Sequence, residues 1–170
     1  MDYALILTRI VHVVLGVTWV GSLFFVSTFL VPSLGDVGPD GGKVIAALER
    51  RKLMVFLPVA GILTILSGLY LYWRVSSGFA PEYMRSGPGQ TYGIGAALAI
   101  IAFVLGLTIT RPAMMKSMQL AQSAMSASPT EREAIMAQAQ ALRARGASVG
   151  RLILALLMGT TIAMSIGRYV

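Results

Sequence analysis

Four long apolar stretches alternate with polar and basic segments along this chain. Residues 10–31, 53–73 and 92–110 contain no Asp, Glu, Lys or Arg. A fourth stretch, residues 147–167, contains Arg151 near its start, where a long side chain can extend to the lipid headgroups. Each stretch is close to the ~20 residues that a helix needs to cross the hydrocarbon core of a bilayer. The pattern therefore predicts four membrane-spanning helices.

Apolar stretches of this length exclude the alternating strands of a membrane β-barrel. The predicted fold is all-α, a polytopic bundle of four transmembrane helices that forms one domain over residues 1–170. The first stretch is too long for the apolar region of a signal peptide and follows Asp2 rather than a basic cluster, so we expect it to be retained. The predicted helices cover about residues 5–31, 53–74, 91–111 and 147–168.

A helical extension is predicted between helices 3 and 4, over about residues 112–146. Ser128, Pro129 and Glu131 match an N-cap, a first-turn proline and a capping-box partner. A new helix should therefore begin there, after a turn at residues 127–129. Helices 3 and 4 either extend past the membrane into this hairpin or continue after a break at Pro112.

The distribution of basic residues predicts the orientation of the bundle. The chain is 56% hydrophobic and 12% charged, with a formal net charge of +7 and a mean hydropathy of +0.75. In a membrane protein, an excess of Lys and Arg marks the cytoplasmic loops, so this charge indicates topology rather than a nucleic-acid partner. Both termini are expected outside, in a bacterial inner membrane. Ten of the 14 cations fall in two segments: Lys43, Arg50, Arg51, Lys52, Arg111, Lys116, Arg132, Arg143, Arg145 and Arg151.

The one histidine of the chain, His12, lies within the first apolar stretch. Helical spacing places it on one face with Arg9, Gly16 and Trp19, and this face should turn toward the other helices. Gly16 leaves room for a flat ligand, and a neutral imidazole is a common axial ligand of haem iron and a good ligand for copper. His12 is therefore the candidate ligand of haem b or of a metal ion.

A second ligand would have to come from another side chain type. The thioethers of Met158 and Met164 fall at roughly the depth of His12 and could complete a His/Met pair. Haem propionates would emerge at the outer surface, where three cations gather: Arg9, Arg74 and Arg168.

Other interpretations of these residues remain open. His12 could simply hydrogen-bond to a neighbouring helix, for example at Thr64 or Thr161. Soft sulfur ligands suit Cu(I), and methionines recur at Met114, Met118 and Met125, although such a pattern also fits a packing face. The chain lacks cysteine, so thiolate sites and disulfides are excluded, and it contains no recognisable catalytic constellation.

The first 75 residues or so resemble the superfamily that includes HemJ-type protoporphyrinogen oxidases and CopD-type copper resistance membrane domains. The resemblance is carried by "VHVVLGVTWVGSLFF" in helix 1 and "ALERRKLMVFLPVAGILTILSGLYLYW" leading into helix 2. The HemJ branch implies a four-helix bundle, haem b held by the helix 1 histidine, here His12, and oxidation of protoporphyrinogen. The lysine that this branch carries at the start of helix 3 is absent from "QTYGIGAALAIIAFVLG". The CopD branch implies passage of copper into or through the membrane.

Three functional hypotheses follow. The chain could bind haem b through His12 and serve electron transfer or haem metabolism. It could instead handle copper with His12 and methionine sulfur. In the third hypothesis it is a non-catalytic accessory subunit of a larger membrane complex. Besides the lipid bilayer, a second copy of the chain or such a complex is the expected partner.

Overall fold

The computed structural model describes residues 2–38 and 41–170, and it is helical with no strand in this part of the chain. Four long helices are apolar enough to cross a membrane, and we number them as spans 1 to 4. Two short helices, Gly41–Arg50 and Pro81–Arg85, lie in the connections. The prediction of an all-α, four-helix membrane bundle is confirmed. The spans are Tyr3–Asp36, Leu53–Val75, Gly87–Ser123 and Pro129–Ile166.

The segment between the third and fourth apolar stretches is a hairpin built from the continuous ends of spans 3 and 4. Span 3 passes through Pro112 without a break and ends at Ser123. Span 4 begins at Pro129, where the main-chain nitrogen and hydroxyl of Ser128 both donate to the carboxylate of Glu131, at 3.2 and 2.6 Å. Of the two arrangements that the sequence left open, the structure has the uninterrupted one.

Two π-helical turns explain how the long helices pass their prolines. One turn covers Val26–Leu30 and precedes Pro32; the other covers Gly106–Thr110 and precedes Pro112. A proline lacks an N–H group, and its ring clashes with the carbonyl of the residue four positions earlier. The wider π turn moves that carbonyl aside. Spans 1 and 3 therefore continue beyond the proline instead of ending there.

The bundle consists of two closely packed pairs, span 1 with span 2 and span 3 with span 4. The pairs meet at a buried cluster in which Trp19 is the one large aromatic side chain. The ring of Trp19 lies against Gly61 and meets Phe103 edge to face, with ring centroids 6.0 Å apart. Small residues let the backbones approach closely, which replaces the hydrophobic effect as the association force in lipid. The other buried members of this cluster are Ala60, Ala102, Ile153 and Leu157.

The two ends of the bundle differ in character. At one end, which we call the terminal end, the Arg74 guanidinium pairs with the Asp2 carboxylate and Gly87 lies against the backbone of Val170. The opposite end, which we call the basic end, carries the junction of the short helix Gly41–Arg50 with span 2 and the hairpin of spans 3 and 4.

Large apolar side chains on the outside of the spans, such as Leu7, Val14 and Leu66, are exposed. At most 22% of the most apolar stretch of any span is buried within the protein. So much outward apolar surface is compatible with contact to a lipid bilayer and with a multi-pass membrane protein.

The contact between Gly61 and Trp19 gives the first testable prediction. A Cβ at Gly61 would lie 2.8 Å from Trp19 and 2.9 Å from Phe103. Gly61→Ala should therefore lower the free energy of unfolding by about 1–3 kcal/mol, as overpacking of a core does. Gly21→Ala is the matched control, because a Cβ there meets nothing within 4 Å. Denaturation in detergent, followed by circular dichroism, measures the stability of both variants. Equal stabilities would contradict the close packing of Trp19 against Gly61.

Candidate functional site

A cavity of about 770 Å³ lies among all four spans in the terminal half of the bundle. Trp19 and Leu157, which belong to the buried cluster, line it on the side of the basic end. Its walls are mostly aliphatic and aromatic side chains, with few polar atoms. Cofactor and small-molecule sites have volumes of roughly 300–1,000 Å³ and walls of this kind. The cavity is therefore the candidate binding site.

His12 lies on the wall of this cavity with a defined orientation. Its Nδ1 lies 2.9 Å from the main-chain carbonyl oxygen of Thr64 in span 2. Because a carbonyl oxygen can only accept, Nδ1 must carry the proton and donate it. The Ser67 hydroxyl, 3.4 Å from Nδ1, already donates to the Leu63 and Thr64 carbonyls and so can only accept from the ring. In the described part of the chain, Nε2 has no hydrogen-bond partner, so in the neutral ring its lone pair would be free for a ligand.

Gly68 explains why the imidazole can reach the Thr64 carbonyl. In a helix, the side chain four positions later covers a given carbonyl. A Cβ at Gly68 would lie 2.7 Å from Cε1 of His12. On span 1, the Cβ position of Gly16 lies 3.4 Å from the Thr64 methyl group, an ordinary contact distance. Gly68 is therefore the glycine that makes room for the histidine.

Six of the seven residues that the sequence analysis singled out line the cavity; Arg168 is not among the lining residues. These six come from spans 1 and 4. Arg168 instead stacks over the ring of Tyr169, 5.0 Å from its centroid. The six lining residues are Arg9, His12, Gly16, Trp19, Met158 and Met164.

Trp19 and the two methionines line the cavity with different degrees of burial. Trp19 is only 4% exposed, so most of its ring belongs to the buried cluster and one edge faces the cavity. Met158 is 42% exposed. The methyl group of Met164 contacts Gly95 of span 3, 3.0 Å from the Cβ position of that glycine. Either thioether can therefore reach the cavity from span 4.

Two tyrosines of the wall were not found by sequence reasoning. Tyr72 of span 2 lines the cavity and donates from its hydroxyl to the Gly89 carbonyl at 2.6 Å. Tyr92 of span 3 also lines the cavity, and its ring fills the space beside Gly167. Both lie near the ends of apolar stretches, where tyrosine ordinarily indicates a membrane interface. The sequence therefore gave no signal that separates a wall residue from an interfacial anchor.

Three of the cations near the terminal end, Arg9, Arg74 and Arg168, were expected to meet haem propionates, and they differ in availability. The guanidinium of Arg74 pairs with Asp2 and donates to the Tyr70 hydroxyl, and Arg168 covers Tyr169. Arg9 lines the cavity and forms no ion pair with any residue that the structure describes. Arg9 is thus the cation that can meet an anionic group at the mouth of the cavity.

A bare metal ion finds few ligands in the described residues. No group of three or more His, Cys, Asp or Glu side chains there is close enough to hold one. A metal at His12 would need thioether sulfur or a macrocycle for its remaining ligands. The arrangement therefore favours a ligand that brings most of its own coordination.

Comparison with protein-family models, with curated proteins and with solved structures found no match.

The ion pair between Asp2 and Arg74 at the terminal end predicts how the stability of the fold changes at acidic pH. The Leu5 N–H group, followed by the Arg74 guanidinium, lowers the pKa of the Asp2 carboxyl below its ordinary value. A carboxyl whose pKa is lowered in the folded state stabilises the fold above its unfolded pKa of about 4. This stabilisation is lost as the pH falls through the folded pKa. Asp2→Asn should therefore unfold more readily than the parent protein at pH 7, with the difference vanishing in acid. Thermal denaturation across this pH range tests it; a difference that persists in acid would contradict the assignment.

Proposed function

We propose that this protein binds haem b in the cavity through Nε2 of His12 and serves electron transfer or haem metabolism in a bacterial inner membrane. One observation carries the proposal. His12 uses Nδ1 to donate to the Thr64 carbonyl, Nε2 has no described hydrogen-bond partner, and the residue lines a largely apolar cavity of about 770 Å³. Metal-binding histidines typically donate their other ring N–H group to a carbonyl or carboxylate, which fixes the tautomer and raises the basicity of the ligand.

The other residues of the cavity fit the remaining parts of a haem. Gly16 leaves a flat surface beside His12, and aliphatic walls suit the porphyrin face. Arg9 supplies a positive charge for a propionate. Met158 or Met164 would supply the sixth ligand, because both thioethers line the same space. A bound haem b would supply a one-electron carrier, and the apolar wall with few polar atoms would limit the access of water.

The copper hypothesis uses the same three side chains, His12, Met158 and Met164. They share one cavity, as a mixed imidazole and thioether site for Cu(I) requires. A single ion would leave most of the 770 Å³ unfilled, so the volume favours the larger ligand. The accessory-subunit hypothesis is supported by the His12–Thr64 bond itself, which joins spans 1 and 2 without any ligand.

Two substitutions of His12 separate a ligand from a packing group. His12→Asn places an amide N–H group near the position of Nδ1, so it can keep the bond to Thr64 while removing Nε2. His12→Ala removes both nitrogens. Under the haem proposal, the visible spectrum of the detergent-purified protein shows a Soret band, and both variants lose it. His12→Ala should also lose about 0.5–1.5 kcal/mol of stability, and His12→Asn less.

The outcomes of this experiment distinguish the three hypotheses. A Soret band that survives both substitutions would show that His12 is not the haem ligand. A colourless protein that carries stoichiometric copper, lost in both variants, would favour the copper hypothesis. A protein with neither, whose stability depends only on the bond to Thr64, would favour the accessory subunit, and co-purifying chains would then identify its complex. Met158→Leu and Met164→Leu, compared in the reduced state, identify the sixth ligand.

The proposed orientation places both termini outside. It has a separate test, because the chain contains no cysteine. Glu82→Cys, on the short helix at the terminal end, and Ser126→Cys, in the turn of the hairpin, each introduce one exposed thiol. In spheroplasts, a membrane-impermeant maleimide should label Glu82→Cys, whereas Ser126→Cys should react only after lysis. The opposite labelling pattern would place both termini and the terminal end in the cytoplasm.

A further inference from the structure

A second cavity, of about 370 Å³, lies at the basic end and is separate from the His12 cavity. It is formed where the start of span 2 meets the part of span 3 that follows the π turn of that helix. Its wall combines charged and amide side chains with a group of methionines. The polar members are Glu49, Lys52, Arg111, Gln119 and Gln122, and the methionines are Met54, Met114, Met115 and Met118.

The two cations of this cavity mark the boundary of the apolar spans. Lys52 immediately precedes span 2. Arg111 immediately follows residues 92–110, which contain no charge. Lys52, at the start of span 2, and Arg111, within span 3, line one cavity. At this level of a bilayer, the groups nearest to the protein are lipid phosphates.

The charges of the cavity are not balanced within the protein. Its wall contains two cations and one carboxylate, that of Glu49. Neither Lys52 nor Arg111 forms an ion pair with a residue in the described ranges, and Glu49 forms none either. The side-chain amides of Gln119 and Gln122 add hydrogen-bond donors. The wall thus retains an excess positive charge and donors suited to an anion.

The methionines determine which kind of anion fits. Four flexible thioether side chains form an adaptable apolar surface beside the cations. Thioethers would also suit Cu(I), but Lys52 and Arg111 oppose the entry of a cation. A ligand with a negative headgroup and an apolar body satisfies both halves of the wall.

We propose that this cavity binds the phosphate of an anionic phospholipid, with Lys52 and Arg111 as its charged partners and the methionines against its glycerol and upper acyl chains. The site differs from a general basic surface because the two cations line one concave volume together with the methionines. Neighbouring cations such as Arg51 and Lys116 do not line it. This proposal does not depend on whether haem binds at His12.

The test compares two double variants that remove the same charge. Lys52→Gln/Arg111→Gln removes the cations of the cavity, and Arg51→Gln/Lys116→Gln removes two cations outside it. All four side chains are exposed, so both variants should fold, which circular dichroism checks. The probe is phosphatidylglycerol, titrated into the full-length purified protein in detergent and followed by native mass spectrometry. We expect the cavity variant to bind it roughly tenfold or more weakly than the parent protein, and the outside variant to stay close to the parent.

The remaining arms identify the source of the phosphate. Arg111→Lys keeps the charge, so it should retain most of the binding that the cavity variant loses if charge is the main requirement. An excess of inorganic phosphate should fail to displace phosphatidylglycerol if the apolar body contributes; equal competition would assign the cavity to free phosphate instead of lipid. Equal weakening in both double variants would reduce the effect to general surface charge and overturn the proposal. Unchanged binding in the cavity variant would also overturn it.

Discussion

The hydrogen bond from Nδ1 of His12 to the Thr64 carbonyl is the interaction on which the candidate site depends. It joins span 1 to span 2, and it fixes which ring nitrogen carries the proton. The imidazole held in this way joins the two helices through Nδ1, while Nε2 has no described partner. The bond exists only because Gly68 leaves the carbonyl uncovered. The chemistry of the site therefore begins with the absence of a side chain on the facing helix.

The cavity follows from how the two helix pairs meet. Their contact is concentrated at one cluster, where Trp19 is surrounded by small residues such as Ala60, Gly61 and Ala102. Alanine and glycine let the backbones approach, but they cannot fill the space on the terminal side of the indole ring. Spans 1 and 4 share few direct contacts there, so the volume between them remains open. Close packing at the tryptophan and the cavity beside it are thus two results of the same distribution of side-chain size.

Sequence reasoning predicted the helices well because a bilayer requires long apolar runs with internally bonded backbones. It also grouped Arg9, His12, Gly16 and Trp19 on one face by helical spacing alone, and these four residues line the same cavity. It could not choose between an extension and a break at Pro112, since a π turn leaves no mark in the pattern of residues. The position of the Arg168 side chain could not be predicted either. A cation near a helix end can face a cavity or stack on its neighbour Tyr169, and the sequence does not distinguish the two.

The two cavities divide the polar chemistry of the bundle by depth. At the level of His12, the cavity wall is largely apolar, and the imidazole already donates to a main-chain carbonyl through Nδ1. At the basic end, charges are retained because lipid phosphates and water can solvate them. Arg9, which lines the His12 cavity, lies toward the terminal end of span 1 and is exposed, because a cation buried in the apolar interior would carry a large desolvation cost. The distribution of charge along each span therefore leaves an apolar cavity in the interior of the bundle and a basic one at its boundary.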